Sequence, residues 1–142
     1  MFKRYLGMIL CTFILLVGVN QIFALEVFSY NNHDIVPNMD YISRATSDIY
    51  IDSNGKATVD CSIYGYQTTT TKVCITTELQ QYNGTSWKTI KTYTTASNSY
   101  RASLSEIAYV SKGYTYRVKA TFEAYSGTNA ETRIVTSSEV KY

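Results

Sequence analysis

Beyond an N-terminal apolar run that holds Cys11, three side chains are of kinds that carry general-base or thiol chemistry: His33, Cys61 and Cys74. Histidine is the side chain whose ordinary pKa suits proton transfer near neutrality. His33 is the only one, and it stands in Asn31-Asn32-His33-Asp34, a polar stretch without strand or helix periodicity. That is the setting of a solvated loop residue. No second histidine, nucleophile elbow or Gly-rich phosphate loop accompanies it, and the carboxylates are scattered over outward strand positions. The chain is therefore read as a non-enzyme with no catalytic residue and no cofactor.

Two cysteines beyond the apolar run raise the question of a disulfide, should the chain be exported. A Cys61–Cys74 bond would add about 3 kcal/mol in the chain-entropy description. The alternation of the sequence argues against it. Cys61 is in phase with inward Val59 and Ile63, whereas Cys74 is out of phase with inward Val73 and Ile75. The bond would need a bulge or a shifted register, and the alternative is two small side chains, one of them buried. Two cysteines of opposite phase and one distant histidine do not make a tetrahedral set, so no metal site is expected.

The elements that must position these residues begin with an export signal. Lys3 and Arg4 precede an almost unbroken apolar run over residues 5–19, and Asn20-Gln21-Ile22-Phe23-Ala24 ends in a small residue suited to cleavage. Residues 1–24 are read as a signal peptide, because the run is short of the ~20 residues a spanning helix needs. Membrane contact is expected only through this segment while it stays uncleaved. Residues 25–142 then carry 11 Lys+Arg and 11 Asp+Glu, with no basic run or acidic tail. This balance gives no support to nucleic-acid binding.

Residues 25–41, with the only proline, Pro37, lack periodicity and read as a loosely structured leader. From residue 42 onward, β-branched and aromatic residues alternate with polar ones. Ile49 and Ile51 share one face, and Asn54-Gly55 then predicts a type I′ hairpin turn. Ala57, Val59, Cys61 and Ile63 point inward on the next strand. Val73, Ile75, Thr77 and Leu79 do so on the third, and a second turn at Asn83-Gly84 leads into residues 87–94. Residues 100–109 change phase, with Tyr100, Ala102 and Leu104 on one side and Ile107 and Tyr109 on the other. A bulge or a half-turn near Ser105-Glu106 would absorb the slip. Tyr114, Tyr116, Val118, Ala120 and Phe122 point inward on the sixth strand, and residues 132–140 form the last.

About seven strands at short, regular spacing give an all-β fold, an antiparallel β-sandwich over residues 42–142. The turn Ser111-Lys112-Gly113 followed by Tyr114-Thr115-Tyr116-Arg117-Val118-Lys119-Ala120 resembles the penultimate strand of immunoglobulin-like and fibronectin-III-like domains. That resemblance implies a tyrosine corner, with the Tyr116 hydroxyl bonding back to the preceding turn. More closely, Gly55-Lys56-Ala57-Thr58, Ser86-Trp87-Lys88-Thr89-Ile90-Lys91-Thr92 and Tyr109-Val110-Ser111-Lys112-Gly113-Tyr114-Thr115-Tyr116-Arg117-Val118 together resemble a family of small secreted proteins from Gram-positive bacteria. The function of that family is unknown. The resemblance implies export and this architecture, and it carries over no site residue.

Tyrosine exceeds what a core requires: the chain has 14. In a fibronectin-like topology the loops holding Tyr66, Tyr100 and Tyr125 gather at one end. Phenol rings there would offer flat apolar faces for stacking on sugars or anchoring a protein partner. Exposed tyrosine is also simply favoured in strands. These three are the candidate ligand-binding residues of a secreted, non-catalytic module for an extracellular glycan, envelope or protein surface, released to the medium or held noncovalently at the envelope. The alternatives are a secreted bacteriocin-like effector and a structural extracellular matrix protein.

Overall fold

Alternation decides which side of each strand faces inward, and the turns decide which strands become neighbours. The computed structural model describes residues 39–142. The segment read as a signal peptide, Cys11, His33, Pro37 and the leader up to residue 38 lie outside the described residues. The strands are β1 (Ile42–Ile51), β2 (Lys56–Gly65), β3 (Lys72–Tyr82), β4 (Trp87–Ser97), β5 (Arg101–Tyr109), β6 (Thr115–Ser126), β7 (Asn129–Thr136) and β8 (Val140–Lys141).

One sheet has the order β1-β2-β5, and the other β4-β3-β6-β7 with β8 also on β6. All pairings are antiparallel. The protein is an all-β sandwich of the immunoglobulin and fibronectin-III kind. It has seven strand lanes, because β8 continues the lane of β7. β7 pairs with β6 from Lys119 to Ser126 and β8 with Thr115 and Tyr116. Between them the Ser137 hydroxyl accepts from Val118 N at 2.9 Å, so a side chain replaces one rung of the ladder. The expected single strand over residues 132–140 is broken there and starts earlier, at Asn129.

The core forms where the inward faces meet. Val59, Cys61 and Ile63 of β2 and Leu104 and Ala108 of β5 pack with Val73, Ile75 and Leu79 of β3 and Val118, Ala120, Phe122 and Ala124 of β6. Each fully buried Val, Ile, Leu or Phe contributes about 1.5–3 kcal/mol relative to exposure. Tyr116 is fully buried, and its hydroxyl donates to the Ser111 carbonyl at 2.7 Å while accepting from Gln81 Nε2 at 2.9 Å. The tyrosine corner is present.

Other expectations change. The β1–β2 turn is a three-residue loop, not a two-residue type I′ turn. Gly55 N donates to Asp52 O, Asp52 N to Lys56 O, and the Asp52 carboxylate accepts from Asn54 N and Lys56 N. The short acidic side chain draws the loop open by one residue. No bulge interrupts β5, whose register with β2 runs unbroken from Lys56↔Tyr109 to Tyr64↔Arg101. Ala102, Leu104 and Ala108 keep one inward phase, while Ile107 and Tyr109 stand outside at 52% and 78% exposed. The two larger apolar residues made the sequence look out of phase. Tyr114 is exposed, since it precedes the first residue of β6.

The end of the leader is not loose. Glu131 Oε1 accepts from Asp40 N at 3.0 Å, and Oε2 accepts from Tyr41 N and Ile42 N at 2.9 and 2.8 Å. This carboxylate on β7 closes the sandwich edge against the start of β1.

Candidate functional site

Backbone hydrogen bonds tie the end of β2 to the loop after β4, and the loop after β2 to the end of β6. Gly65 N donates to Tyr100 O at 2.6 Å, Thr70 N to Tyr66 O at 2.8 Å and Thr71 N to Tyr125 O at 2.8 Å. Tyr66 N also donates to Tyr41 O at 3.1 Å. The β2–β3 loop folds tightly here because Gly65 has no side chain. A Cβ at that position would collide with Thr70, whose hydroxyl donates to Tyr41 O at 2.7 Å.

Tyr66, Tyr100 and Tyr125 thus share one end of the backbone, but their rings divide. Tyr66 is exposed and Tyr100 half-buried, with the Arg101 guanidinium 5.7 Å from the Tyr100 ring centroid. Tyr125 lies on the outer face of the four-stranded sheet, with Lys72 Nζ 5.3 Å from its centroid. Desolvation, and then the charge of Glu123 and its hydrogen bond, raise the Tyr125 phenol above its ordinary range. Among the described residues no ring–ring contact joins the three.

A denser cluster adjoins the same end on the outer face of the β1-β2-β5 sheet. Register puts Arg44 opposite Tyr64 and Tyr64 opposite Arg101, one row across all three strands. The Arg44 guanidinium carbon lies 4.5 Å from the Tyr64 ring centroid, a cation–π contact. On the β5 side, Tyr64, Arg101, Ala102 and Ser103 line a shallow open cleft of about 330 Å³. Among the described residues neither arginine has a carboxylate partner. Asp48 and Asp60, the acidic residues of this face, sit four positions along their strands from Arg44 and Tyr64, about 13 Å away at the ordinary strand rise.

No family model, curated protein or solved structure matches the chain.

The other aromatic cluster is internally satisfied. On the four-stranded sheet Tyr82 and Trp87 have ring centroids 5.2 Å apart, and the Arg117 guanidinium carbon is 4.0 Å from the Trp87 centroid. Arg117 Nε donates to Gln80 Oε1 at 2.9 Å, and Gln80 Nε2 donates to Glu78 Oε2 at 3.0 Å. Stacking on Trp87 and the Gln80 amide already occupy this guanidinium, so the cluster reads as a fastening between β3, β4 and β6.

The thiols are both free. Cys61 points into the core from β2, accepting from the Thr77 hydroxyl at 3.4 Å and donating to Ser47 Oγ at 3.7 Å. Cys74 sits half-buried on β3, on the outward face of its own sheet, opposite Glu123 of β6. The disulfide left open by the sequence is not formed, because the β3 backbone stands between the two sulfurs. Among the described residues no group of three or more His, Cys, Asp or Glu converges as a metal would require.

Arg44 and Arg101 were not singled out from sequence. Both have outward phase, but only the β1–β2 and β2–β5 registers place them on either side of Tyr64. The first register follows from the hairpin turn. The second joins strands that have all of β3 and β4 between them in sequence, and it sets Lys56 opposite Tyr109 and Tyr64 opposite Arg101. No local pattern marks that pairing.

Proposed function

We propose that the chain is a secreted, non-catalytic binding module that engages an extracellular glycan through the sandwich end carrying Tyr64, Tyr66 and Tyr100. The observation that carries this reading is the grouping at one end of aromatic rings with two arginines that no carboxylate neutralises. Phenol faces suit stacking on the apolar side of sugar rings, and guanidinium groups suit the polar edges. The N-terminal export pattern and the resemblance to small secreted Gram-positive proteins support the same reading. The even charge balance of residues 25–142 speaks against a nucleic-acid partner.

The test is sedimentation of the protein with purified cell walls or an insoluble glycan matrix. Retention is expected for the wild type and loss of retention for the Tyr64→Ala/Tyr66→Ala/Tyr100→Ala variant at an unchanged unfolding midpoint. Retention equal to wild type by the folded variant would rule these rings out as the binding surface.

A further inference from the structure

We propose that the cleft beside Tyr64 takes the oxyanion of an anionic polysaccharide, held by Arg101 on the cleft wall with the charge of Arg44 added from across the Tyr64 ring, while the neighbouring phenol rings take the sugar. This rests on the glycan-binding reading above and adds a ligand class to it.

The arrangement is fixed by register rather than by loop conformation. Arg44, Tyr64 and Arg101 occupy one row of three hydrogen-bonded strands. The Tyr64 ring, 4.5 Å from the Arg44 guanidinium carbon, keeps that planar group on the face of the sheet. The cleft of about 330 Å³ opens next to it, and Arg101 and the exposed Ser103 line it with N–H and O–H donors. Guanidinium groups match the paired oxygens of carboxylate, sulfate and phosphate by two parallel hydrogen bonds.

The contrast with Arg117 shows what sets this pair apart. Arg117 already hydrogen-bonds Gln80 and stacks on Trp87. Arg44 and Arg101 make ring contacts alone, at 4.5 and 5.7 Å from the centroids of Tyr64 and Tyr100, and their N–H edges have no partner among the described residues. An anion reaching those edges need not displace an existing ion pair. The phenol rings of Tyr64 on β2 and of Tyr100 just before β5 favour a ligand that joins charge to a flat apolar ring face, which a sugar polymer does.

The protein expressed from the full-length sequence is titrated at low salt with four polymers: alginate, dextran sulfate, neutral dextran and poly-L-glutamate. At least one of the two anionic glycans should bind tenfold or more tightly than dextran and polyglutamate, and alginate against dextran sulfate separates carboxylate from sulfate recognition. The difference should shrink as salt screens the charges. The R44Q/R101Q variant should lose tenfold or more in affinity for that glycan. Should that variant fail to fold, S103W fills the cleft with both arginines retained and must weaken binding.

Dextran binding as tightly as the anionic glycans would overturn the anion site and leave the glycan-binding reading standing. Polyglutamate binding equally well would overturn the role of the sugar. Failure of both anionic glycans to bind, or unchanged affinity in R44Q/R101Q or S103W, would overturn the proposal outright.

Discussion

The carboxylate of Glu131 accepts the backbone N–H of Ile42 at 2.8 Å, joining the middle of β7 to the first residue of β1 across the open edge of the sandwich. The same group takes Asp40 N and Tyr41 N, so one charge satisfies three donors at a strand start that has no partner strand on that side. Hydrogen bonds to a charged group contribute about 1.5–3 kcal/mol each when they are well formed. Glu131→Gln keeps the shape and loses the charge, and should cost about 1–2 kcal/mol. Glu131→Ala should cost more. Urea unfolding with an unchanged m value measures this, and a variant as stable as wild type would show that the strand start holds without it.

The turn at Gly55 combines two demands. Its φ is +79°, and a Cβ there would stand 2.8 Å from the Val110 carbonyl oxygen. Val110 N in turn donates to Gly55 O at 2.9 Å, so the β1–β2 loop and the segment after β5 are fastened together. A side chain in the left-handed region costs about 1 kcal/mol by itself. Gly55→Ala should therefore destabilise by about 2 kcal/mol or more once the contact with Val110 is strained as well. Gly127→Ala, with a φ of +60° and open space around it, isolates the conformational part and should cost less. Equal losses for the two variants in denaturant unfolding would show that the Val110 contact adds nothing.

Most of the architecture follows from patterns that are local. Val59, Cys61 and Ile63, or Val118, Ala120 and Phe122, announce an inward face by strict alternation, and the Ser111 to Tyr116 spacing announces the corner hydrogen bond. Errors arise where size and phase disagree. Ile107 and Tyr109 look like core but are outward, because Ala108 opposite Ala57 is the residue that fits between the sheets. Long-range side-chain contacts are the other blind spot. Nothing near Glu131 in sequence indicates that it holds residues 40–42, and the Arg44–Tyr64–Arg101 row exists only once β5 is placed beside β2.

Tyr116 tests the corner directly. Its hydroxyl sits between the Ser111 carbonyl, to which it donates, and the Gln81 amide, from which it accepts. Tyr116→Phe preserves the fully buried ring and removes both bonds, leaving a carbonyl and an amide N–H in a partly buried place. A loss of about 1–3 kcal/mol is expected. The measurement is the denaturant midpoint, paired with hydrogen exchange of the residues around Ser111. Slow exchange there unchanged in the variant would show that the corner is held by backbone contacts alone.

Cys61 gives the fold a pH dependence of defined sign. Burial raises its thiol above the ordinary value, outweighing the hydrogen bond from Thr77 and the contact with Ser47, which lower it, while Asp48 and Asp60 add to the rise. The folded state therefore keeps the proton longer than the unfolded chain. Its contribution is fully present below the unfolded thiol pKa of about 8.5 and is lost as pH rises toward the folded value. Above about pH 8.5, wild-type stability should fall by up to about 1.4 kcal/mol per pH unit more steeply than that of Cys61→Ala. Parallel stability–pH curves for the two proteins would refute the assignment. A chain beginning at Leu25, which carries only Cys61 and Cys74, adds a second reading: near neutral pH a disulfide reagent should label Cys74 promptly and Cys61 only on unfolding.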